Sequence, residues 1–311
     1  MIQNINYFID NMIFFKKPKF HKVELTLHDN EKITGCYLFD KNNTTWLMVI
    51  PGGLVGTHKS LYCDEICSLF PKYNIFIVNH RGCGGAEFST TKSTFHWDTD
   101  TIMAGYNYIC SSFDVKSIYL IGISMGAFMV TKFLGKYKNC EKIKGSVCFA
   151  HYFSLSNHTD QVMKSYFLHQ YTLNSCNRLA KQAHGQLHIP KTFNKASSLH
   201  DAIRNFILSY RNITMREYLE ISTIKELNTI TVPSLYVNAL DDPVCPEKVL
   251  RTFHEQIYNN NIQIHITSSG SHIGWTNHFL SSTIDGHINS IIQHRSRIAY
   301  LLQKLKNYIS L

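Results

Sequence analysis

A serine becomes a nucleophile only where the chain lifts its hydroxyl clear of the backbone and a base takes its proton. The segment Gly122-Ile123-Ser124-Met125-Gly126 has the make-up to do the lifting. It follows the apolar run Ile118-Tyr119-Leu120-Ile121 and precedes a helical pattern in which Phe128, Met129, Phe133 and Leu134 share one stripe. A Gly-x-Ser-x-Gly at such a junction makes a sharp strand-to-helix turn. The glycines two residues to either side let strand and helix pass closely, and the serine takes an awkward backbone conformation. Its hydroxyl then stands above the sheet edge, and the Met125 N–H points to where a substrate oxygen would sit. As a bare string the pattern arises by chance or as a tight structural turn; the flanking strand and helix give it weight.

A hydroxyl nucleophile needs a base, and the base needs an acid to orient it. Two candidates for the acid, Asp241 and Asp242, follow the strand-like Tyr236-Val237-Asn238. The base candidate is His272, in Gly270-Ser271-His272-Ile273-Gly274-Trp275 after the last strand. The chain has 17 histidines, so position and not type singles out His272. The aspartate that is not the acid is expected to orient the loop or cap the following helix. An oxyanion forming on a carbonyl needs two preorganised donors. Met125 N–H is one, and the other is expected from Gly52-Gly53-Leu54-Val55-Gly56, with Leu54 N–H preferred and Gly53 the alternative. The other reading of that segment is an ordinary glycine-rich turn.

The elements that must position these groups follow from hydropathy. Val23 to Leu27, Ile33 to Phe39, Trp46 to Ile50, Ile75 to Val78, Ser117 to Ile121, Lys144 to Phe149, Leu235 to Val237 and Ile262 to Ile266 read as strands. Helices are expected near Lys59 to Phe70, Asp100 to Cys110 and Pro246 to Tyr258. This alternation predicts an α/β fold, a mostly parallel sheet with helices on both faces. Residues 151–230 break the rhythm with a polar-aromatic, helical pattern, and are expected to form a cap over the strand C-terminal ends. The divisions are then an N-terminal arm at 1–22, the core at 23–150 and 231–311, and the cap between. The stripe Ile298, Leu301, Leu302, Leu305 and Ile309 predicts a C-terminal helix packed on the sheet.

With 44% hydrophobic and 17% charged residues in 311, the chain can bury a substantial core. Nine cysteines without framework spacing point to reduced thiols in a cytoplasmic compartment. Cys63 and Cys67 lie i, i+4 on a helix but lack a matching ligand pair, so they read as core packing, and neither metal nor cofactor is expected. Residues Met1 to Phe20 lack the apolar stretch of an export signal, so Asn43, Asn157 and Asn212 read as plain loop asparagines and not glycosylation sites. The charge of +9 is scattered and no nucleic-acid motif accompanies it. The exception is Lys16-Lys17-Pro18-Lys19, which follows Phe8, Ile9, Met12, Ile13, Phe14 and Phe15. It reads as a solvated arm, with peripheral contact to anionic lipid as the other possibility.

Taken in order, these segments resemble the YheT-like α/β-hydrolase family. The resemblance rests on Pro51-Gly52-Gly53-Leu54-Val55-Gly56-Thr57-His58-Lys59-Ser60-Leu61-Tyr62 as its oxyanion loop and on Asn79-His80-Arg81-Gly82-Cys83-Gly84-Gly85 as its most distinctive motif. Phe95-His96-Trp97-Asp98-Thr99-Asp100, the serine elbow, Asn238-Ala239-Leu240-Asp241-Asp242-Pro243, Gly270-Ser271-His272-Ile273-Gly274 and the Tyr218-x-x-x-Ser222 spacing complete it, over roughly residues 20 to 290. Asp242-Pro243-Val244-Cys245-Pro246 resembles the usual acid loop of such enzymes, which selects Asp242.

The resemblance implies an α/β-hydrolase fold and a Ser124–His272–Asp242 triad acting on carboxylic esters. Medium-chain acyl or lipid esters are the expected substrates. Transfer of the acyl group to an alcohol, or a hydrolase-fold protein that only binds, are the alternatives. The sequence departs from the family at Gly52, where His or Pro is usual, and the membrane anchor of the animal members is not expected in it. Arg81 is expected to be a structural charge.

Overall fold

The computed structural model describes residues 18–90, 92–153, 166–187, 198, 201, 213–221, 224–275, 283–285 and 287–289. Its eight strands are β1 (His21–Thr26), β2 (Lys32–Leu38), β3 (Thr45–Ile50), β4 (Asn74–Val78), β5 (Ser117–Ile123), β6 (Ile143–Phe149), β7 (Ser234–Ala239) and β8 (Ile262–Thr267). They form one sheet in the order β1-β2-β4-β3-β5-β6-β7-β8. The β1–β2 and β2–β4 pairings are antiparallel, and every pairing from β4 across to β8 is parallel. The helices are α1 (Leu61–Leu69), α2 (Asp100–Ser112), α3 (Met125–Lys136), α4 (Tyr166–Leu187), α5 (Met215–Ile221) and α6 (Glu247–Glu255).

The central strands are apolar along their length because both faces of the sheet are covered. Alternate residues enter two cores. Trp46, Met48, Phe76, Val78, Ile118 and Leu120 face α2 and α3 with Ile102, Ile109, Phe128 and Phe133. Leu47, Val49, Ile75, Ile77, Tyr119 and Ile121 face the α1 residues Cys63, Ile66 and Cys67 together with Ile284 and Ile288. Cys63 and Cys67 are thus packing residues. The stripe expected on α3 is wider than its sequence pattern, since from Met125 to Leu134 only Lys132 escapes burial. The cause is a second cover on its outer side: the side chain of Glu226 lies against Gly135, leaving no room there for a Cβ.

Strand order reverses about β3: the chain passes from β3 to β4 on one side and returns to β5 on the other. The helices that follow β3 and β5 therefore lie on opposite faces of the sheet, the arrangement whose C-terminal strand ends form the ligand crevice in open α/β sheets. Register aligns what borders that crevice. Ile50 pairs with Gly122, Gly122 with Cys148, Cys148 with Tyr236 and Tyr236 with Ile264, one line across five strands.

Between the neighbours β6 and β7 the chain makes its long excursion. Within it, α4 buries Leu173, Cys176, Leu179, Ala180 and Ala183, a helical spacing, against the first core. Gln182 donates to the Gly82 carbonyl at 2.6 Å and Gln186 accepts the Phe88 N–H at 2.7 Å, which ties α4 to the loop after β4. Among the described residues no helix is long and apolar enough to cross a membrane. The Lys16-Lys17 cluster, the C-terminal stripe, Asn157 and Asn212 lie outside the described residues.

Candidate active site

Ser124 sits between the end of β5 and the first residue of α3 with φ 52° and ψ −114°, a conformation that L-residues seldom adopt. Its N–H donates to the Phe149 carbonyl at 2.8 Å, and its own carbonyl accepts from Ala127 and Phe128 at 2.9 and 3.2 Å. The glycines beside it are dictated by space. A Cβ on Gly122 would lie 2.6 Å from Ala127 Cα, and one on Gly126 would run into the Ile50 carbonyl and lie 2.7 Å from the Pro51 carbonyl. The turn is closed by packing, with strand and helix touching through backbone.

The three residues expected to work together meet. Ser124 Oγ is 2.8 Å from His272 Nε2, and His272 Nδ1 is 2.9 and 3.1 Å from the two oxygens of Asp242. The Asp242 side chain is fully buried, and His272 keeps 21% of its side chain exposed. Asp242 Oδ1 also accepts the N–H groups of Val244 and Cys245 at 2.7 and 3.2 Å, so the carboxylate is fixed from the far side. Because a carboxylate accepts, Nδ1 carries the hydrogen and Nε2 presents its lone pair to the serine hydroxyl. The neighbouring Asp241 accepts the Ser271 N–H at 2.7 Å and so holds the histidine loop. It does not cap α6, whose N-cap position is Pro246. Ser271 has φ 51° and Gly270 has φ 152°. A Cβ on Gly270 would meet the Trp275 indole, whose Nε1 donates to Thr267 at 3.1 Å.

Beside the serine runs the loop leaving β3. A Cβ on Gly52 would lie 2.7 Å from the Ile123 carbonyl and 3.0 Å from Ser124 Cβ, so a side chain here needs the loop to move away. Gly53 turns the chain with φ 71°, and Leu54 packs half-buried against the first core. Met125 N–H is the first amide of α3 and has no carbonyl partner within the helix. The arrangement can bring an acyl carbonyl to Ser124 Oγ, move a proton through His272 and meet a developing oxyanion with backbone amides.

The Asn79–Gly85 motif, given no chemical step from sequence, braces this loop and its surroundings. Asn79 accepts the His58 N–H at 2.8 Å and donates to Thr34 at 2.8 Å. His80 Nε2 is 3.1 Å from the Pro51 carbonyl, and burial pushes its pKa down to about 4. Arg81 is a structural charge: its guanidinium, 1% exposed, meets Asp29 at 3.0 and 3.2 Å and Asp100 at 2.5 Å. His28, Asp29 and Asp100 are close enough together to suggest a metal site. Arg81 and Lys92 already neutralise those carboxylates, Lys92 at 3.0 Å from Asp29, and a divalent cation would have to displace them. Burial raises the Asp29 pKa, but Lys92 and Arg81 outweigh it and hold the carboxyl at about 2.

This fold and this site belong together in one class. The chain is a member of the alpha/beta hydrolase fold family, whose model matches residues 47–277. Among individual proteins it is 23% identical over 266 residues to phospholipase ABHD3 of Homo sapiens, across 82% of this chain and 64% of that protein. It is 23% identical over 253 residues to monoacylglycerol lipase of Saccharomyces cerevisiae, across 74% and 54%. The chain thus spans less than two thirds of the length of these relatives. The esterase Pf2001 of Pyrococcus furiosus superposes with a TM-score of 0.63 at 17% identity, covering 91% of this chain and 92% of its own, which shows the shared fold. The protein belongs to the alpha/beta hydrolase fold family and is related to a phospholipase and a monoacylglycerol lipase.

Proposed function

We propose that this chain is a YheT-like serine hydrolase that cleaves carboxylic esters through an acyl-enzyme, with medium-chain acyl or lipid esters as substrates. The observation that carries the reading is the unbroken chain of contacts Asp242–His272–Ser124, with Ser124 Oγ 2.8 Å from an imidazole nitrogen that must be acting as acceptor. Ser124 Oγ attacks the acyl carbon while its proton passes to His272 Nε2. Asp242 holds the imidazole in the required tautomer and offsets the charge it gains. Met125 N–H and Leu54 N–H meet the oxyanion. The His272 proton then goes to the departing alkoxide, leaving the acyl group on Ser124. Water, deprotonated by the same nitrogen, attacks the acyl-enzyme and releases the acid. An alcohol in place of water would yield a new ester by the same steps.

Relatives named as a phospholipase and a monoacylglycerol lipase support a lipid ester as substrate. The segment 151–230 would then act as a cap over the acyl chain.

A fluorophosphonate probe, followed by p-nitrophenyl esters of graded chain length, tests the reading. Wild type should label at Ser124 and hydrolyse the esters. Ser124→Ala should lose labelling and about 10⁴- to 10⁶-fold in kcat. Labelling that survives the substitution, or equal turnover by the two proteins, would overturn the assignment.

A further inference from the structure

The loop after β3 is gripped from two directions by side chains that come from outside it. Tyr62, in the first turn of α1, accepts the Gly52 N–H on its hydroxyl at 2.7 Å and lies 3.4 Å from the Gly52 carbonyl. His80, just after β4, reaches the Pro51 carbonyl with Nε2 at 3.1 Å and has the Gly53 carbonyl as a second acceptor. Its backbone N–H donates to the Gly56 carbonyl at 3.3 Å. A carbonyl only accepts, so Nε2 carries the hydrogen. Nδ1, on the other side of the same ring, is buried with no partner among the described residues. An orphaned buried acceptor costs about 1–3 kcal/mol, a penalty that a leucine at the same place would avoid. Close packing completes the grip: a Cβ on Gly56 would lie 2.9 Å from His80 Nε2 and 2.6 Å from the Gly52 carbonyl.

These contacts decide which groups of the loop are free to meet a substrate. The Gly52 amide is spent on Tyr62, and the Pro51 and Gly56 carbonyls on His80. Two consecutive amides, Gly53 and Leu54, lie beyond the tied one, with Gly53 in the left-handed region at φ 71°. A donor serves an oxyanion only if it is already aimed, since reorientation during the reaction cancels its advantage. We propose that Tyr62 and His80 are the positioning residues of the oxyanion hole, fixing the Pro51–Gly56 loop so that its free amides face the Ser124 adduct. Neither touches the reacting atoms. The inference rests on the ester-hydrolase reading and adds to it the machinery that aims the second donor.

The test uses Tyr62→Phe, His80→Leu, His80→Gln and His80→Asn in the full chain, with two ligands. An alkyl trifluoromethyl ketone accepts Ser124 Oγ at its carbonyl carbon, passing the serine proton to His272 and leaving an oxyanion. The corresponding secondary alcohol fills the same space without one. Tyr62→Phe should lower kcat about tenfold and His80→Leu about a hundredfold, with KM within about twofold of wild type. The ketone should weaken in proportion to kcat while the alcohol binds unchanged. His80→Gln places an amide N–H near the site of Nε2 and should recover activity to within about fivefold of wild type. His80→Asn places its amide near Nδ1 and should not.

Equal loss of ketone and alcohol binding, parallel changes in KM, or Gln and Asn behaving alike would overturn the proposal. If His80→Leu does not fold, the Gln–Asn pair and Tyr62→Phe decide it alone. Failure of the underlying reading is separately visible, since wild type would then neither label with fluorophosphonate nor bind the ketone more tightly than the alcohol.

Discussion

Ser124 and the Gly52–Gly56 loop leave the two strands at the middle of the sheet, whereas Asp242 and His272 follow β7 and the edge strand β8. The first pair is held by close packing, to which Tyr62 and His80 add hydrogen bonds on the loop. β3 and β5 are buried almost throughout, and Gly52, Gly122 and Gly126 each touch backbone where a Cβ would stand. The second pair is fixed by hydrogen bonds: Ser271 to Asp241 at 2.7 Å, Gly274 to Gly270 at 2.6 Å and Trp275 to Thr267 at 3.1 Å, after a strand whose residues are all at least partly exposed. Steric repulsion rises steeply over tenths of an ångström, while a hydrogen bond keeps most of its strength over a wider range of length and angle. The half proposed to form bonds to carbon is thus the stiff one. The half proposed to carry a proton from nucleophile to leaving group has the latitude to swing.

On the proposed roles, the largest effect after loss of the Ser124 hydroxyl itself belongs to the hydrogen-bonded half. Asp242→Asn can keep its contacts to Val244 and Cys245 but favours the wrong imidazole tautomer, and kcat should fall about 10⁴-fold with the fold intact. Circular dichroism and steady-state kinetics on the same sample check both parts. Next comes Gly126→Ala in the stiff half. The new methyl meets two backbone carbonyls, and stability should fall by about 3 kcal/mol or more in urea unfolding. If that variant is as stable as wild type, the steric account of the elbow is wrong.

Acid should loosen the stiff half next. Burial holds the His80 pKa at about 4 and that of His151, stacked on Phe128, at about 3, against 6.5 in an unfolded chain. Between pH 6.5 and those values the unfolded state binds the additional protons, so stability is complete above pH 6.5 and drains as the pH falls. Unfolding midpoints at pH 7, 5.5 and 4 should decline in that order, and a flat profile would deny that these rings are buried neutral. The smallest effect is expected from Asp241→Asn. It weakens one hydrogen bond of the histidine loop, and kcat should drop about tenfold, far less than for Asp242→Asn.

The residues proposed to do chemistry could be found in the sequence because each lies within a few positions of a strand end and carries its own local pattern. The elbow needs only Ile118 to Gly126, the acid loop only Tyr236 to Pro246. The strands were equally readable, since burial on both faces writes continuous apolar runs such as Trp46 to Ile50. What could not be read depends on contacts between distant segments. Arg81 finds its acids 52 and 19 residues away, at Asp29 and Asp100. Tyr62 and His80 are ordinary residues of their motifs until α1 and the β4 loop are folded onto Pro51–Gly56. The burial of α3 on its outer side needs Glu226, 91 positions beyond Gly135. Gly52 is the instructive case: a departure from the resembled family in sequence, it is a place where the Ile123 carbonyl leaves no room for a side chain.

The paired line Ile50–Gly122–Cys148–Tyr236–Ile264 bears on how a correctly folded molecule can be recognised. A slip of two residues in one pairing leaves inward and outward side chains sorted, so hydrophobic burial is a poor proofreader of that error. The same slip carries everything beyond it about 7 Å along the strand, which would part His272 from Ser124. In a refolding experiment, recovered circular dichroism would then count sheets of any alignment. Recovered ester turnover would count only chains in which all four pairings had been made correctly.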